Sequence, residues 1–464
     1  MISLPKMLSR TRFFQKSSLS HAVRPLATSF SKRCIAPQTY ERLFTSAATA
    51  AVDYNPPTQI AALTERDNRV SVLWADGQEG DFHFAWLRDN DPLRFMSCGQ
   101  KMPIESIIPG SKSLIPTSLE TDDENETLRI RWGNQDQDSI FTSSWLRMHC
   151  YDKMDLDLTA TRASRALSYH QPPEIDFDTL FENNEGVYKW LKMVNEFGLA
   201  LVKNVPSNDG EVLNVSGLVG KSSHTMYGEN FDVKTEANPI NAAFSDAALE
   251  FHMDLAYFES PPGLQYLHAL RFDTSMEGGE STFIDAHAVA EVFKEREPEA
   301  FETLVRVPAT FQKNHVDRAN PARLFYQRPH ISVNYVNEVI AVFWAPPFEG
   351  PLMVLSEDVE TYYAAYAKFR ALMNSDEMMK RYGYRFRLQT GDLICFNNRR
   401  MLHGRDAFRS HQGVRHLQGC YNTIDDFLNK YRVLAFEYDP HPNVLLGGGI
   451  AAYGEERVGT TSHR

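Results

Sequence analysis

Apolar and polar residues alternate along the stretch LEFHMDLAYFESPPG: Leu249, Phe251, Met253 and Leu255 are apolar, and Glu250, His252 and Asp254 lie between them. Period-two alternation predicts a strand with one buried face. Residues two apart on a strand share a face, so His252 and Asp254 project together. Similar text occurs upstream. VSVLWADGQEGDFHFAWLRDN gives two short strands around a DG turn, and LRIRWGNQDQDSIFTSSWLRMHC repeats the plan around a polar GNQDQ turn. Each ends in Trp-Leu-Arg, and together they predict a small β domain over residues 52–151. A polar connector, 152–174, carries Pro172 and Pro173. A second domain, 175–436, mixes both periods. Helices are predicted over 179–197 (closed by Gly198), 211–227, 286–296 and 362–373. GLALVKNVP reads as a buried strand, and strand text fills the stretches up to Asp285 and from Tyr384 to Asn422. A short helix after Asp425 and a Gly-rich tail, 437–464, close the chain. No internal repeat is visible.

Composition sets limits on this picture. The 464 residues are 42% hydrophobic and 23% charged, the balance of a globular protein of two or more domains. No apolar run approaches the roughly 18 residues of a membrane-spanning helix. The net charge of −12 argues against a nucleic-acid partner and against a polybasic membrane anchor. Five scattered cysteines without CxxC spacing do not read as a disulfide framework and favour a reducing compartment. The head of the chain differs in kind. Lys6, Arg10, Arg12, Lys16, Arg24, Lys32, Arg33 and Arg42 face a single acid, Glu41, among many serines. That pattern predicts a mitochondrial transit peptide over residues 1–50 and a matrix location. A plain basic tail on a cytoplasmic protein is the alternative.

The chemistry gathers around the alternating stretch. A His and a carboxylate side by side supply two ligands of the 2-His-1-carboxylate triad that binds non-haem Fe(II) and leaves positions open. GDLICFNNRRMLHGRDAF ends a strand with His403 beside a glycine, a third ligand. Twelve residues on, Arg415 opens RHLQGCYN, where alternation puts Arg415, Leu417, Gly419 and Tyr421 on one face. A guanidinium is a planar, permanently charged fork suited to a carboxylate. It would hold the far end of 2-oxoglutarate chelated to the iron.

At this point a resemblance enters. FHMDLAYFESPPGLQYLH, MEGGESTFIDA, FRALMNSDE, LQTGDLICFNNRRMLHGR and RHLQGCYNTIDD, with FAWLRDN in the first domain, resemble the carnitine-biosynthesis dioxygenases. These are the γ-butyrobetaine and trimethyllysine dioxygenases, and the likeness covers most of residues 65–436. It implies a mainly β fold with flanking helices (α+β), a double-stranded β-helix (jelly-roll) catalytic domain behind a small β domain. It implies Fe(II) held by His252, Asp254 and His403, with O2 as oxidant and ascorbate as reductant. Arg415 would bind the distal carboxylate of 2-oxoglutarate, with Asn241 and Ser281 near the same co-substrate.

Substrates of that family carry a trimethylammonium group, which aromatic faces recognise by cation–π attraction. Tyr227, Phe231, Phe244 and Tyr421 match the family's cage positions. Tyr227 and Phe231 are four apart and would share a helical face. Phe231 stands where the family has Trp, and Phe244 where it has Tyr. The family's structural zinc is not expected: after LRDN only Cys98 remains, Gln137 falls near a His position, and the spacing of His149 and Cys150 does not rebuild a four-ligand site. The implied reaction is hydroxylation of 4-trimethylammoniobutanoate to carnitine; trimethyllysine is the runner-up. The CYNTIDDFLN end is nearer the trimethyllysine enzyme. A non-catalytic quaternary-ammonium binder would lack an iron ligand, and all three are present. Oxygenation of a different substrate, suggested by Phe231 and Phe244, is a further alternative. A homodimer is implied by the resemblance alone.

Overall fold

The computed structural model describes residues 59–438 apart from 97–99, 103–113, 134–136, 152–170, 235–242, 244, 317–319, 336, 410 and 412. The transit-peptide, most of the connector and the tail lie outside the described residues, as do Asn241, Phe244 and Cys98.

Strands β1 (Ile60–Arg66), β2 (Arg69–Trp74) and β3 (Glu79–His83) form an antiparallel meander that runs into helix α1 (Phe84–Asp89). Strands β4 (Pro116–Thr121), β5 (Thr127–Trp132) and β6 (Ser139–Thr142) do the same into α2 (Ser143–Met148). The architecture is therefore repeated although the sequence has no regular period. Both Trp-Leu-Arg tripeptides sit on the short helices, where Trp86 and Trp145 meet with ring centroids 5.3 Å apart. Val70, Val72 and Phe82 of one meander share a core with Leu128, Ile130 and Phe141 of the other.

The rest of the chain runs β7 (Glu174–Asp176), α3 (Phe177–Glu182), α4 (Asn184–Phe197), β8 (Leu199–Lys203), α5 (Glu211–Gly217), β9 (Phe231–Lys234) and β10 (Leu249–His252). It continues with β11 (Leu264–Phe272), β12 (Ser281–Asp285), α6 (Ala286–Arg296), α7 (Pro298–Arg306), β13 (Pro308–His315), β14 (Ala322–Pro329), β15 (Ile331–Val333) and β16 (Val339–Val342). Last come α8 (Ser356–Met373), α9 (Asp376–Tyr382), β17 (Gly383–Phe386), β18 (Leu393–Asn397), β19 (Met401–Arg405), β20 (Arg415–Asn422) and α10 (Ile424–Tyr438). Two sheets dominate: six strands in the order β7-β8-β18-β11-β20-β9 and four in the order β10-β19-β12-β17. Alternation assigns their faces. Leu201, Ile394 and Leu417 of the larger sheet join Phe283, Tyr384 and Met401 of the smaller in one core. The opposite face of the larger sheet packs Ala200, Val202, Tyr266 and Cys395 against α4, α5 and α10. Helices α6, α7 and α8 carry a further core that includes Trp344. The mainly β, helix-flanked character is as expected.

Three local predictions are corrected. The helix over 179–197 is broken at Asn183, an extended residue (φ −167°, ψ 174°) whose side chain accepts from Gly186 N to cap α4. The helix over 211–227 stops at Gly217, because Gly217, Gly220 and Gly228 favour turns over helix. Tyr227 therefore lies in a turn and Phe231 opens β9, so the two share no helical face. The strand through Leu255 ends at His252: the Met253 amide donates to Trp344 O (2.8 Å), and Leu255 takes a left-handed φ of 57°.

Candidate active site

The ladder of β10 against β19 brings the first two ligand candidates together. His252 lies directly opposite His403, and their ring centroids are 4.3 Å apart. The turn at Leu255 folds Asp254 back toward them, leaving Asp254 Oδ1 3.7 Å from His252 Nε2. One donor atom from each of His252, Asp254 and His403 lies within 4.8 Å of the others. Among the described residues this is the one such grouping of His, Cys, Asp and Glu.

Each side chain is prepared for a metal. His252 Nδ1 faces Glu250 O at 2.8 Å; a carbonyl only accepts, so Nδ1 carries the proton and Nε2 keeps its lone pair. Burial, followed by the neighbouring His252, pushes His403 down to about 3, so it stays a neutral donor. Its Nδ1 is buried without a hydrogen-bond partner. Asp254 Oδ2 accepts from Gln265 Nε2 (2.7 Å) and from Tyr421 OH (2.8 Å). Burial, then the Asp254 charge, holds the Tyr421 phenol protonated. Asn398 clamps the backbone: its Oδ1 accepts from Asp254 N (2.9 Å) and its Nδ2 donates to Asp254 O (3.0 Å). A compact set of two neutral imidazoles and one carboxylate fits Fe(II).

The triad lines a cavity that opens to solvent. At one side β20 supplies Arg415, which is buried. Its guanidinium lies 5.4 Å from the Phe272 ring and 5.7 Å from that of Phe408. Burial first, then Arg405 and Arg387, pulls it down to about 9. Arg405 lies 4.7 Å from Phe408, and Arg387 lies 4.2 Å from Phe272. Three guanidiniums thus bracket two phenyl rings. Two of them bond to backbone carbonyls: Arg405 to Ala243, Ser245 and Ala247, Arg387 to Gly278 and Asp273. Gly279, at φ 80°, passes close enough that a Cβ there would meet Phe272, Phe408 and Arg415. Ser281 lines the same cavity, opposite Arg405 in register.

Across the cavity Phe231 stacks on Tyr421 (5.1 Å, 24° between planes), and Tyr227 follows at 6.1 Å from Phe231. Register places Phe231 opposite Gly419, whose missing side chain makes room for the ring. Tyr257 and Phe348, in edge contact at 5.3 Å, extend the wall. The structure thus gathers His252, Asp254, His403, Arg415, Ser281, Tyr227, Phe231 and Tyr421 around one space. Sequence reasoning missed Gln265, Asn398, Arg405, Tyr257 and Phe348. Gln265 alone left a trace, as a polar residue in the otherwise apolar start of β11.

A two-histidine, one-carboxylate centre beside a buried arginine that has no carboxylate within ion-pair distance among the described residues defines a 2-oxoglutarate-dependent dioxygenase using Fe(II). The chain belongs to the family described as "Taurine catabolism dioxygenase TauD, TfdA family", whose model matches residues 161–421. A second model, "Gamma-butyrobetaine hydroxylase-like, N-terminal", matches residues 61–147. The gamma-butyrobetaine dioxygenase of Pseudomonas sp. (strain AK-1) is 31% identical over 370 residues, 79% of this chain and 93% of that one. Dioxygenase str8 of Strobilurus tenacellus is 30% identical over 402 residues (81% and 91%). The mitochondrial trimethyllysine dioxygenase of Bos taurus is 26% identical over 372 residues (77% and 83%).

Proposed function

We propose that this dioxygenase hydroxylates a small trimethylammonium substrate, γ-butyrobetaine, to give L-carnitine. The carrying observation is the stacked wall of Tyr227, Phe231 and Tyr421 beside the triad. Such faces attract a cation that cannot donate a hydrogen bond, at about 0.5–2 kcal/mol each. Among the described lining residues, Asp254 is the one carboxylate, and the metal claims it. No described lining acid is left for the α-ammonium of trimethyllysine. The names of the relatives support the same class.

His252, Asp254 and His403 would hold Fe(II), which with 2-oxoglutarate and O2 supplies the oxidising power when bound; ascorbate keeps it reduced. The remaining work is binding and orientation. Arg415 pairs with the distal carboxylate of 2-oxoglutarate, and Ser281 hydrogen-bonds at the same end. Leu255, Leu267, Phe283 and Leu417 keep the space apolar. Residues 175–436 carry this chemistry in a jelly-roll arrangement of the two large sheets, behind a separate β domain over 52–151.

A basic head and the mitochondrial trimethyllysine relatives favour the second reading, trimethyllysine hydroxylation in the matrix. The test is 2-oxoglutarate turnover by protein lacking residues 1–50, with Fe(II) and ascorbate, offering each substrate in parallel and using His252→Ala as control. Stimulation by γ-butyrobetaine, lost in the control, is expected. Stimulation by trimethyllysine alone would replace the first reading with the second. Stimulation by neither, with iron bound, would leave a dioxygenase of a different substrate.

A further inference from the structure

The Asp254 carboxylate has two unequal oxygens. Oδ2 accepts from both Gln265 and Tyr421, at 2.7 and 2.8 Å, which uses its two lone pairs. Oδ1 faces His252 Nε2. Gln265 is buried, and its other atom, Oε1, is without a partner, so it is held there for its N–H. The backbone is fixed as firmly: Asn398, fully buried, bonds both Asp254 N and Asp254 O and reaches Pro262 O at 3.3 Å.

We infer that Tyr421 and Gln265 are positioning residues that restrict Asp254 to the iron through one oxygen. This rests on the iron-site reading given above. An aspartate can bind a metal through one oxygen or chelate it through both. With two histidines and one carboxylate oxygen bound, an octahedral ion keeps three positions for co-substrates. A chelating Asp254 would take one of them. Hydrogen bonds that occupy Oδ2 prevent this, and they do so from strands β11 and β20 of the opposing sheet. Tyr421 joins two duties: its ring stacks with Phe231 in the cavity wall while its hydroxyl holds the carboxylate. The two can be separated, since Tyr421→Phe keeps the ring and removes only the bond.

The experiment uses Co(II) as a spectroscopic stand-in, under anaerobic conditions, with wild type, Tyr421→Phe, Gln265→Met, the double variant and His252→Ala. Wild type should bind Co(II) and then 2-oxoglutarate, with a change in the visible d–d bands. His252→Ala should lose the metal. The double variant should keep Co(II), show d–d bands shifted before co-substrate is added, and bind 2-oxoglutarate about tenfold or more weakly. Reloaded with Fe(II) and supplied with O2, it should also oxidise 2-oxoglutarate further ahead of product formation than wild type does. A purely structural role would lower the melting temperature and leave the Co(II) spectrum unchanged. Wild-type bands and wild-type 2-oxoglutarate affinity in the double variant would overturn the inference. If the double variant does not fold, unchanged bands in Tyr421→Phe would do the same. Failure of wild type itself to bind Co(II) or Fe(II) would count against the iron site instead.

Discussion

Arg415→Met should make the ligand-free protein more stable while weakening its hold on 2-oxoglutarate. The side chain is buried and sits among Phe272, Phe408 and two other guanidiniums. Its descent to about 9 corresponds to a cost of keeping it charged on the order of 5 kcal/mol, at about 1.4 kcal/mol per tenfold change in proton affinity. Methionine fills a similar volume without the charge. Replacing even paired buried charges by well-packed apolar groups returns up to about 1–4 kcal/mol. The co-substrate loses a forked pair of charge-assisted hydrogen bonds worth about 1.5–3 kcal/mol each. Its dissociation constant should therefore rise about 10²–10⁴-fold. Thermal denaturation without ligand reads the first effect, and anaerobic calorimetry with 2-oxoglutarate on the metal-loaded protein reads the second. A variant that is less stable when empty, yet binds 2-oxoglutarate within threefold of wild type, would refute the assignment of Arg415 as a cation held ready for a carboxylate.

Gly419→Ala puts a methyl into the Phe231 ring and against Tyr266 O, so KM for the proposed substrate should rise several-fold while Fe(II) affinity holds; steady-state kinetics alongside metal titration checks both. Asp285→Asn breaks a buried pair in which Oδ2 accepts from Arg400 Nε and Nη2 at 3.0 and 2.7 Å, and should cost about 3–5 kcal/mol in denaturant unfolding. His330, bonded to Phe343 O and to Tyr362 OH, and His268 are each pushed down to about 4 by burial. The unfolded chain takes up these protons first, so their stabilisation is complete above about pH 6.5 and is lost as pH falls toward 4. A melting temperature that does not fall between pH 7 and pH 4.5, or falls equally in His330→Gln, would contradict this for His330.

The triad and Arg415 were legible because their signals are local. A His and an Asp two apart, a His-Gly pair and an Arg at the head of a strand each need only a few neighbours. Even so, Asp254 reaches His252 through the turn at Leu255 and not along one strand face, and His403 lies in the middle of β19. The aromatic wall was legible by residue type and not by mechanism. Phe231 reaches Tyr421 through the pairing of β9 with β20, about 190 residues apart in sequence, and not through a helix shared with Tyr227. No periodicity carries that information. Gln265, Asn398 and Arg405 act on Asp254 and on residues 243–247 across sheet faces and loops. Their partners lie 11 to 162 residues away, and a polar residue in a strand does not announce which one it serves. The helix boundaries failed for a simpler reason: Asn183 and Gly217 end helices that apolar spacing alone would continue.

If the proposed substrate is right, the bracketed guanidiniums also bear on who enters first. Arg405 and Arg415 line the cavity, the Asp246 charge acts on Arg405, and Fe(II) would add to the positive charge. A cationic substrate of the kind proposed above would be repelled on approaching that space. Once 2-oxoglutarate has entered with its two negative charges, the repulsion largely cancels, and the aromatic wall can act on the cation. Charge alone would then impose an ordered queue, with the dianion ahead of the cation.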